Sequence, residues 1–172
     1  MKRRTRVLVG LGLLVAIGVC SAWCWLQTPA GSQWHMRYTN ERRARYLRGL
    51  APADLRRVTL VCVFGDPDDP EPYELILTPE KDREAVAQIV SALRDIEPFG
   101  DFFQAVPTEW LILTPVHGRN IVVSPCYLWG KPDADGKYTL LEGFRSSRLI
   151  PVLQEITRTY KHRVKRMTPQ TE

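Results

Sequence analysis

The sequence predicts an α+β two-layer sandwich, an antiparallel sheet of about five strands with two helices on one face, preceded by an N-terminal transmembrane helix. Three observations predict this architecture. An uncharged run of 20 residues, 7–26, follows a basic amino terminus. Residues 57–160 alternate between β-branched apolar runs and segments whose apolar residues have helical spacing. A turn-and-strand pattern also occurs twice in that region, 65 residues apart.

Charge is distributed unevenly along the 172 residues, a length that suits one ordinary domain. The formal net charge is +5, yet residues 58–157 hold 16 acidic and 8 basic groups, so the basic excess lies at the two ends. A nucleic-acid-binding protein places its basic patch on the folded unit. The distribution therefore predicts no nucleic-acid partner. The composition excludes a disordered or disulfide-dense chain.

The amino-terminal segment has the features of a signal-anchor. Residues 1–6 carry four basic groups, and residues 7–26 would form a helix of about 30 Å, the thickness of the hydrocarbon core. Positive charge before the span predicts a cytoplasmic amino terminus and an extracytoplasmic domain. The residues expected at the far membrane interface, in contact with lipid, are Trp23, Trp25, Trp34 and Arg37.

Two alternatives to a retained anchor stay open. Residues 7–19 also suit the hydrophobic region of a cleaved signal peptide, with Cys20 and Ala22 as the small residues before the cleavage site. Cleavage after Ala22 would give a secreted soluble protein that begins at Trp23. Lipidation of Cys20 is the weaker alternative, because Val19 stands where a lipoprotein site needs a small residue.

Residues 27–56 are predicted to form a linker and an Arg-rich juxtamembrane helix. The linker covers residues 27–36, and Thr39 or Asn40 caps the helix. The apolar stripe of this helix consists of Tyr46, Leu47 and Leu50. A stripe this thin predicts a stalk outside the core of the domain.

The extracytoplasmic domain is predicted to cover residues 57–160. Strands are expected at 58–64, 73–77, 110–114, 120–124 and 137–142, the third and fourth joined by a turn at His117. Thr78 and Pro79 begin the first helix, whose apolar face is Val86, Ile89, Val90, Leu93 and Ile96. Ser146 or Ser147 caps the second, whose apolar face is Ile150, Leu153, Ile156 and Tyr160. Residues 161–172 form a basic tail that is expected to fray.

The repeated pattern is Gly-x-Pro-Asp followed by Tyr-x-Leu. It begins at Gly65 and again at Gly130, and a helix follows each copy. Duplication of a β-hairpin-helix unit would explain the match. The alternative is that two unrelated turns share Gly, Pro and Asp because turns favour these residues.

Metal and cofactor sites find little support. The acidic loop at 66–72 offers oxygen ligands for calcium, but their spacing follows no established pattern. Residues 133–136 resemble part of an EF-hand loop, yet strands rather than helices flank them. His35, His117 and His162 are too dispersed for a metal site. The sequence therefore predicts neither a metal nor a cofactor.

Two cysteines, Cys62 and Cys126, lie outside the membrane segment. Export to an oxidising compartment favours a disulfide between them, and the alternative is two separately buried thiols. The best enzymatic hypothesis pairs Cys126 as nucleophile with His117 as base, and Glu109 is the nearest acid along the chain. No local signature supports that pair.

An aromatic cluster is the remaining candidate for recognition. Its residues are Phe99, Phe102, Phe103 and Trp129. Such a cluster forms an exposed recognition patch, or it closes one end of the core. Together these features predict a single-pass membrane protein whose domain binds a protein or envelope partner without catalysis. The alternatives are a thiol-dependent enzyme and a secreted protein.

Overall fold

The computed structural model of the chain describes residues 15–63, 71–99, 109–124, 132–140 and 144–167. It contains two compact units, Met1–Thr39 and Asn40–Glu172. The second unit is an α+β domain with an antiparallel main sheet, as predicted. Its first residue, Asn40, precedes the expected boundary at Arg57 because part of the Arg-rich helix belongs to the domain.

Helix α1 covers residues 15–26, and residues 7–14 of the predicted span lie outside the described part of the chain. Side chains on several sides of α1 are exposed: Val15, Ile17, Val19 and Trp23. Within the residues that the structure describes, no helix combines the length and the apolar character needed to cross a bilayer.

Helix α2 runs over Pro29–Gly49, which makes the predicted linker wrong from its third residue onward. The hydroxyl oxygen of Thr28 accepts the N–H of Gly31 at 3.1 Å and so caps the helix. Pro29 takes the first helical position, where its missing N–H removes no hydrogen bond. The cap therefore lies at Thr28 and not at Thr39 or Asn40.

The carboxyl-terminal half of α2 packs into the core of the second unit, contrary to the prediction of a stalk. Ala44, Leu47 and Leu50 are at most 4% exposed, whereas Tyr46 is 52% exposed. The apolar stripe is narrow, but the small side chain of Ala44 lets the helix backbone approach closely. Its flanks are fixed by two arginines that contact backbone carbonyls elsewhere in the domain.

These two arginines hold α2 in place. The guanidinium of Arg43 donates to the carbonyl oxygen of Val122 at 3.2 Å. That of Arg48 donates to the carbonyl oxygen of Ile96 at 2.8 Å and lies 3.8 Å from the carboxylate of Glu41. The guanidinium groups of Arg43 and Arg48 therefore both bind partners within the domain.

Eight strands lie within the described part of the second unit: β1 (Leu55–Cys62), β2 (Tyr73–Leu77), β3 (Glu97–Pro98), β4 (Glu109–Pro115), β5 (Ile121–Val123), β6 (Tyr138–Leu140), β7 (Phe144–Ser146) and β8 (Lys165–Arg166). The main sheet has the order β5-β4-β1-β2-β8, and all its pairings are antiparallel. The register pairs Val58 with Leu77 on one side and with Leu113 on the other. The predicted central position of β1 is confirmed.

Helices α3 (Arg83–Leu93) and α4 (Leu149–Thr159) contribute to the same apolar core as the sheet and α2. The predicted apolar residues of α3 are all buried. Its start is not at Thr78, because residues 79–81 form a turn and the helix begins at Arg83. The core also takes in Phe144 from β7.

The start of α4 is held by a carboxylate from the loop that follows α3. Asp95 Oδ2 accepts the N–H of Ser147 at 2.7 Å and the N–H of Arg148 at 3.1 Å. Burial, the largest single influence, raises the pKa of Asp95, but hydrogen bonds from Ser147, Ser146 and the Arg148 N–H together lower it below its ordinary 3.8. The hydroxyl of Ser146 also accepts the Leu149 N–H at 2.9 Å, but Arg148 holds the N-cap position, so the prediction of an N-cap at Ser146 or Ser147 is wrong by one or two residues.

The second copy of the repeat does not lie in the main sheet. Strand β6 belongs to a separate three-stranded sheet of order β3-β7-β6, whereas β2, the strand of the first copy, pairs with β1. The expected single sheet is therefore two sheets. Among the described residues, Tyr138–Leu140 pairs with β7, so the two copies of the repeat lie in different sheets.

The basic tail is ordered through Met167, contrary to the expectation that it frays. Lys161–Arg163 forms a 3₁₀ turn, and β8 pairs with β2 at the edge of the main sheet. The reason is Arg163, whose guanidinium donates two hydrogen bonds to the carboxylate of Asp82. Asp82 is buried, also accepts the N–H of Thr78 at 2.9 Å, and has its pKa lowered mainly by Arg163.

We expect Leu47→Ala to lower the free energy of unfolding by about 3 kcal/mol, because it leaves a cavity in the core. Tyr46→Ala, one residue earlier on the exposed side, should change it by less than about 0.5 kcal/mol. Urea unfolding of the full chain in a neutral detergent measures both. Equal effects would contradict the placement of α2 in the core.

We expect Asp82→Asn to lower the free energy of unfolding by about 2 kcal/mol at neutral pH, because it removes a charged partner from two hydrogen bonds. The folded-state pKa of Asp82 lies below its ordinary value of 3.8. Its contribution is therefore complete above that value and is lost as pH falls through the folded-state pKa. Unfolding of both chains between pH 7 and pH 2 checks this. A constant difference between them across that range would contradict it.

Candidate functional site

An open cleft of about 700 Å³ lies at one end of the main sheet in the second unit. Three elements form it: the end of α2, the 3₁₀ turn Pro52–Asp54, and the end of β4 with the turn after it. Its described lining residues are Arg45, Tyr46, Gly49, Leu50, Ala53, Asp54, Pro115, Val116 and His117.

Backbone pairing fixes the position of these elements. Strand β1 aligns Leu55 with Pro115, and the carbonyl oxygen of Asp54 accepts the N–H of Val116 at 2.8 Å. The carboxylate of Asp54 accepts the N–H of Ala51 at 2.8 Å, which closes the 3₁₀ turn. After His117 the chain reverses at Gly118, whose φ of +103° favours glycine.

The cleft combines an apolar wall with two basic side chains. Leu50 and Pro115 are buried at its base, while Tyr46 and Val116 are 52% and 51% exposed. Arg45 and His117 are both exposed. Such a surface suits a ligand that joins an anionic group to an apolar one, because guanidinium binds carboxylate and phosphate oxygens with two parallel hydrogen bonds.

Arg45 differs from Arg43 and Arg48 on α2 in having no partner among the described residues. Arg43 and Arg48 donate to backbone carbonyls, whereas Arg45 makes no hydrogen bond or ion pair with any residue that the structure describes. Asp54 is the one carboxylate among the described lining residues, and its Oδ2 is engaged by Ala51. The surroundings add exposed positive charge at Arg56, Arg57 and Arg119.

The predicted cysteine sites are only partly described. Cys62 is buried at the end of β1, with its Sγ 3.9 Å from Oε1 of the buried Glu109. Cys126 lies outside the described residues, so the disulfide between Cys62 and Cys126 stays a prediction. The same holds for the pair of Cys126 with His117. Glu109 is placed beside Cys62, and His117 lines the cleft.

Of the predicted aromatic patch, the structure describes Phe99. The guanidinium of Arg145 lies 3.6 Å from the centre of the Phe99 ring, which is half-buried. Arg145 also lies 3.3 Å from a carboxylate oxygen of Asp133 and 3.7 Å from one of Asp135. Phe99 thus contacts the small sheet. The other patch residues, Phe102, Phe103 and Trp129, lie outside the described residues.

The predicted interface residues lie in the first unit. Trp23 and Trp25 are exposed on α1 and Arg37 is exposed on α2, while the side chain of Trp34 lies outside the described part. Most of the acidic loop at 66–72 is likewise not described. Elsewhere, the described residues contain no group of three His, Cys, Asp or Glu side chains able to hold a metal ion.

Comparison of the chain with protein-family models, with curated proteins and with solved structures found no match. The cleft itself was missed by sequence reasoning, which assigned Arg45 and Tyr46 to a stalk. The signal that would have found it is the spacing of Ala44, Leu47 and Leu50, which places these two residues beside a buried face.

Thiol labelling checks the cysteine geometry. We expect a maleimide to modify the buried Cys62 in denaturant but not in the folded chain. Peptide mass spectrometry of the full chain in neutral detergent measures this. Labelling of Cys62 in the folded chain as fast as in denaturant would contradict its burial. Labelling of Cys62 and Cys126 in denaturant without reductant would contradict the predicted disulfide.

Proposed function

We propose that the chain is a single-pass membrane-anchored binding protein. Residues 7–26 form its signal-anchor with the amino terminus in the cytoplasm, and the domain beyond is extracytoplasmic. The uncharged run and the four basic residues before it support the anchor. The exposed apolar side chains of α1, among them Ile17 and Val19, also support it, because an exposed helix that is apolar on all sides favours lipid.

The domain acts as a binding module for an envelope component, without catalysis. The observation that carries this part of the proposal is the cleft, in which the unoccupied Arg45 lies beside the exposed Tyr46 and Val116. Its volume of about 700 Å³ falls within the range of small-molecule and headgroup sites. Exposed aromatic and Arg side chains are the residue types that dominate recognition surfaces.

Photo-crosslinking in intact membranes tests the module. The full chain carries p-benzoylphenylalanine in place of Tyr46, and the matched control carries it in place of Lys165. Lys165 is exposed, and its backbone pairs with that of Glu74 in β2. Glu74 in turn pairs with Val61, near the end of β1, whereas the cleft residue Asp54 directly precedes the start of β1. The control position is therefore far from the cleft. We expect an adduct at position 46 that Arg45→Glu reduces at least fivefold, and none at position 165.

Equal adducts from both positions, or none from position 46, would contradict the binding module. Alkaline extraction of the same membranes checks the anchor, because an integral helix resists extraction. Recovery of a soluble chain that begins at Trp23 would contradict the anchor and favour the secreted alternative.

A further inference from the structure

We infer that the cleft binds the phosphate headgroup of an anionic phospholipid, an inference that rests on the proposed membrane-anchored module. Arg45 holds the phosphate, and the first methylene groups of the acyl chains contact the apolar wall formed by Tyr46, Leu50 and Val116.

Three arginines of α2, Arg43, Arg45 and Arg48, differ in what their guanidinium groups contact. Arg43 and Arg48 donate to the carbonyl oxygens of Val122 and Ile96 at 3.2 and 2.8 Å, so their positions are fixed by the fold. Arg45 lies on the same helix, is exposed and has no partner among the described residues. It therefore presents an unengaged guanidinium fork, the group best matched to phosphate oxygens.

The wall of the cleft argues for a phosphate that is attached to an apolar body. A free ion needs no apolar contact, yet Leu50 and Pro115 line the cleft and two apolar side chains stand more than half exposed at Tyr46 and Val116. Tyrosine beside arginine is typical of protein surfaces at the membrane interface.

The carboxylate of Asp54 favours a headgroup that carries a hydrogen-bond donor beside its phosphate. Asp54 Oδ2 accepts the Ala51 N–H, which leaves Oδ1 to accept a hydrogen bond from a ligand. A phosphoglycerol headgroup carries hydroxyl donors beside its phosphate.

Exposed Arg56, Arg57 and Arg119 near the cleft would attract an anionic lipid surface at long range. An acidic peptide would use the same cations, but the proposed anchor keeps lipid, and no particular peptide, within reach.

Isothermal titration calorimetry of the full chain in a neutral maltoside detergent tests the inference. The probes are dihexanoylphosphatidylglycerol, dihexanoylphosphatidylcholine and glycerol 1-phosphate. We expect the anionic lipid to bind at least tenfold more tightly than the other two. Arg45→Gln should weaken it at least tenfold, whereas the matched variant Lys165→Gln, which removes one charge far from the cleft, should not. Unchanged circular dichroism spectra and melting of both variants confirm that they fold.

Three outcomes would overturn the inference. Equal affinities for the two lipids would show that the cleft does not recognise the negative charge of the headgroup. Binding of glycerol 1-phosphate as tight as that of the anionic lipid would assign the cleft to free phosphate esters. Lipid binding unaffected by Arg45→Gln would place the lipid elsewhere on the chain.

The mass of the adduct at position 46 shows whether the lipid inference alone fails or the proposed binding module fails with it. An adduct of lipid mass at that position supports both proposals. An adduct of peptide or protein mass, together with no binding of the anionic lipid, would overturn the lipid inference and leave the binding module in place. No adduct and no binding would overturn both.

Discussion

Burial of the short apolar face of α2 is the constraint on which the domain and its cleft depend. Ala44 and Leu47 are at most 1% exposed, so the helix cannot shift without opening the core. Because that face is fixed, the neighbouring positions are fixed as well, and Arg45 and Tyr46 are held at the mouth of the cleft. A stalk helix with the same arginines would offer charge without a defined site. Packing therefore gives Arg45 a defined position in a cleft.

Two carboxylates of this domain, Asp95 and Asp82, join segments that are distant in the chain. Asp95 receives hydrogen bonds from the start of α4, and Asp82 binds Arg163 across 81 residues of sequence. In each case burial disfavours the ionised carboxylate, and hydrogen bonds reverse that effect. These two carboxylates therefore stabilise the fold itself.

Much of the fold could be predicted from local patterns. The central strand β1 and the buried faces of α3 and α4 follow from β-branched runs and helical spacing, which depend only on near neighbours. The order of the C-terminal segment could not be predicted, because it depends on Arg163 meeting Asp82. The start of α2 was missed although Thr28 and Pro29 carry a cap signal, since the polar residues after them resemble a linker. The cleft required knowing which strand end lies beside α2, which is a tertiary fact.

The contact between Arg43 and Val122 has a consequence for behaviour at high local concentration. Val122 lies in β5, one edge of the main sheet, and its carbonyl already receives a side-chain donor. The other edge is β8, only two residues long, both of them basic. Edges that are occupied, short or charged resist the strand-to-strand pairing that leads to aggregation. Within the described part of the main sheet, neither edge therefore offers a second copy a long row of free backbone groups.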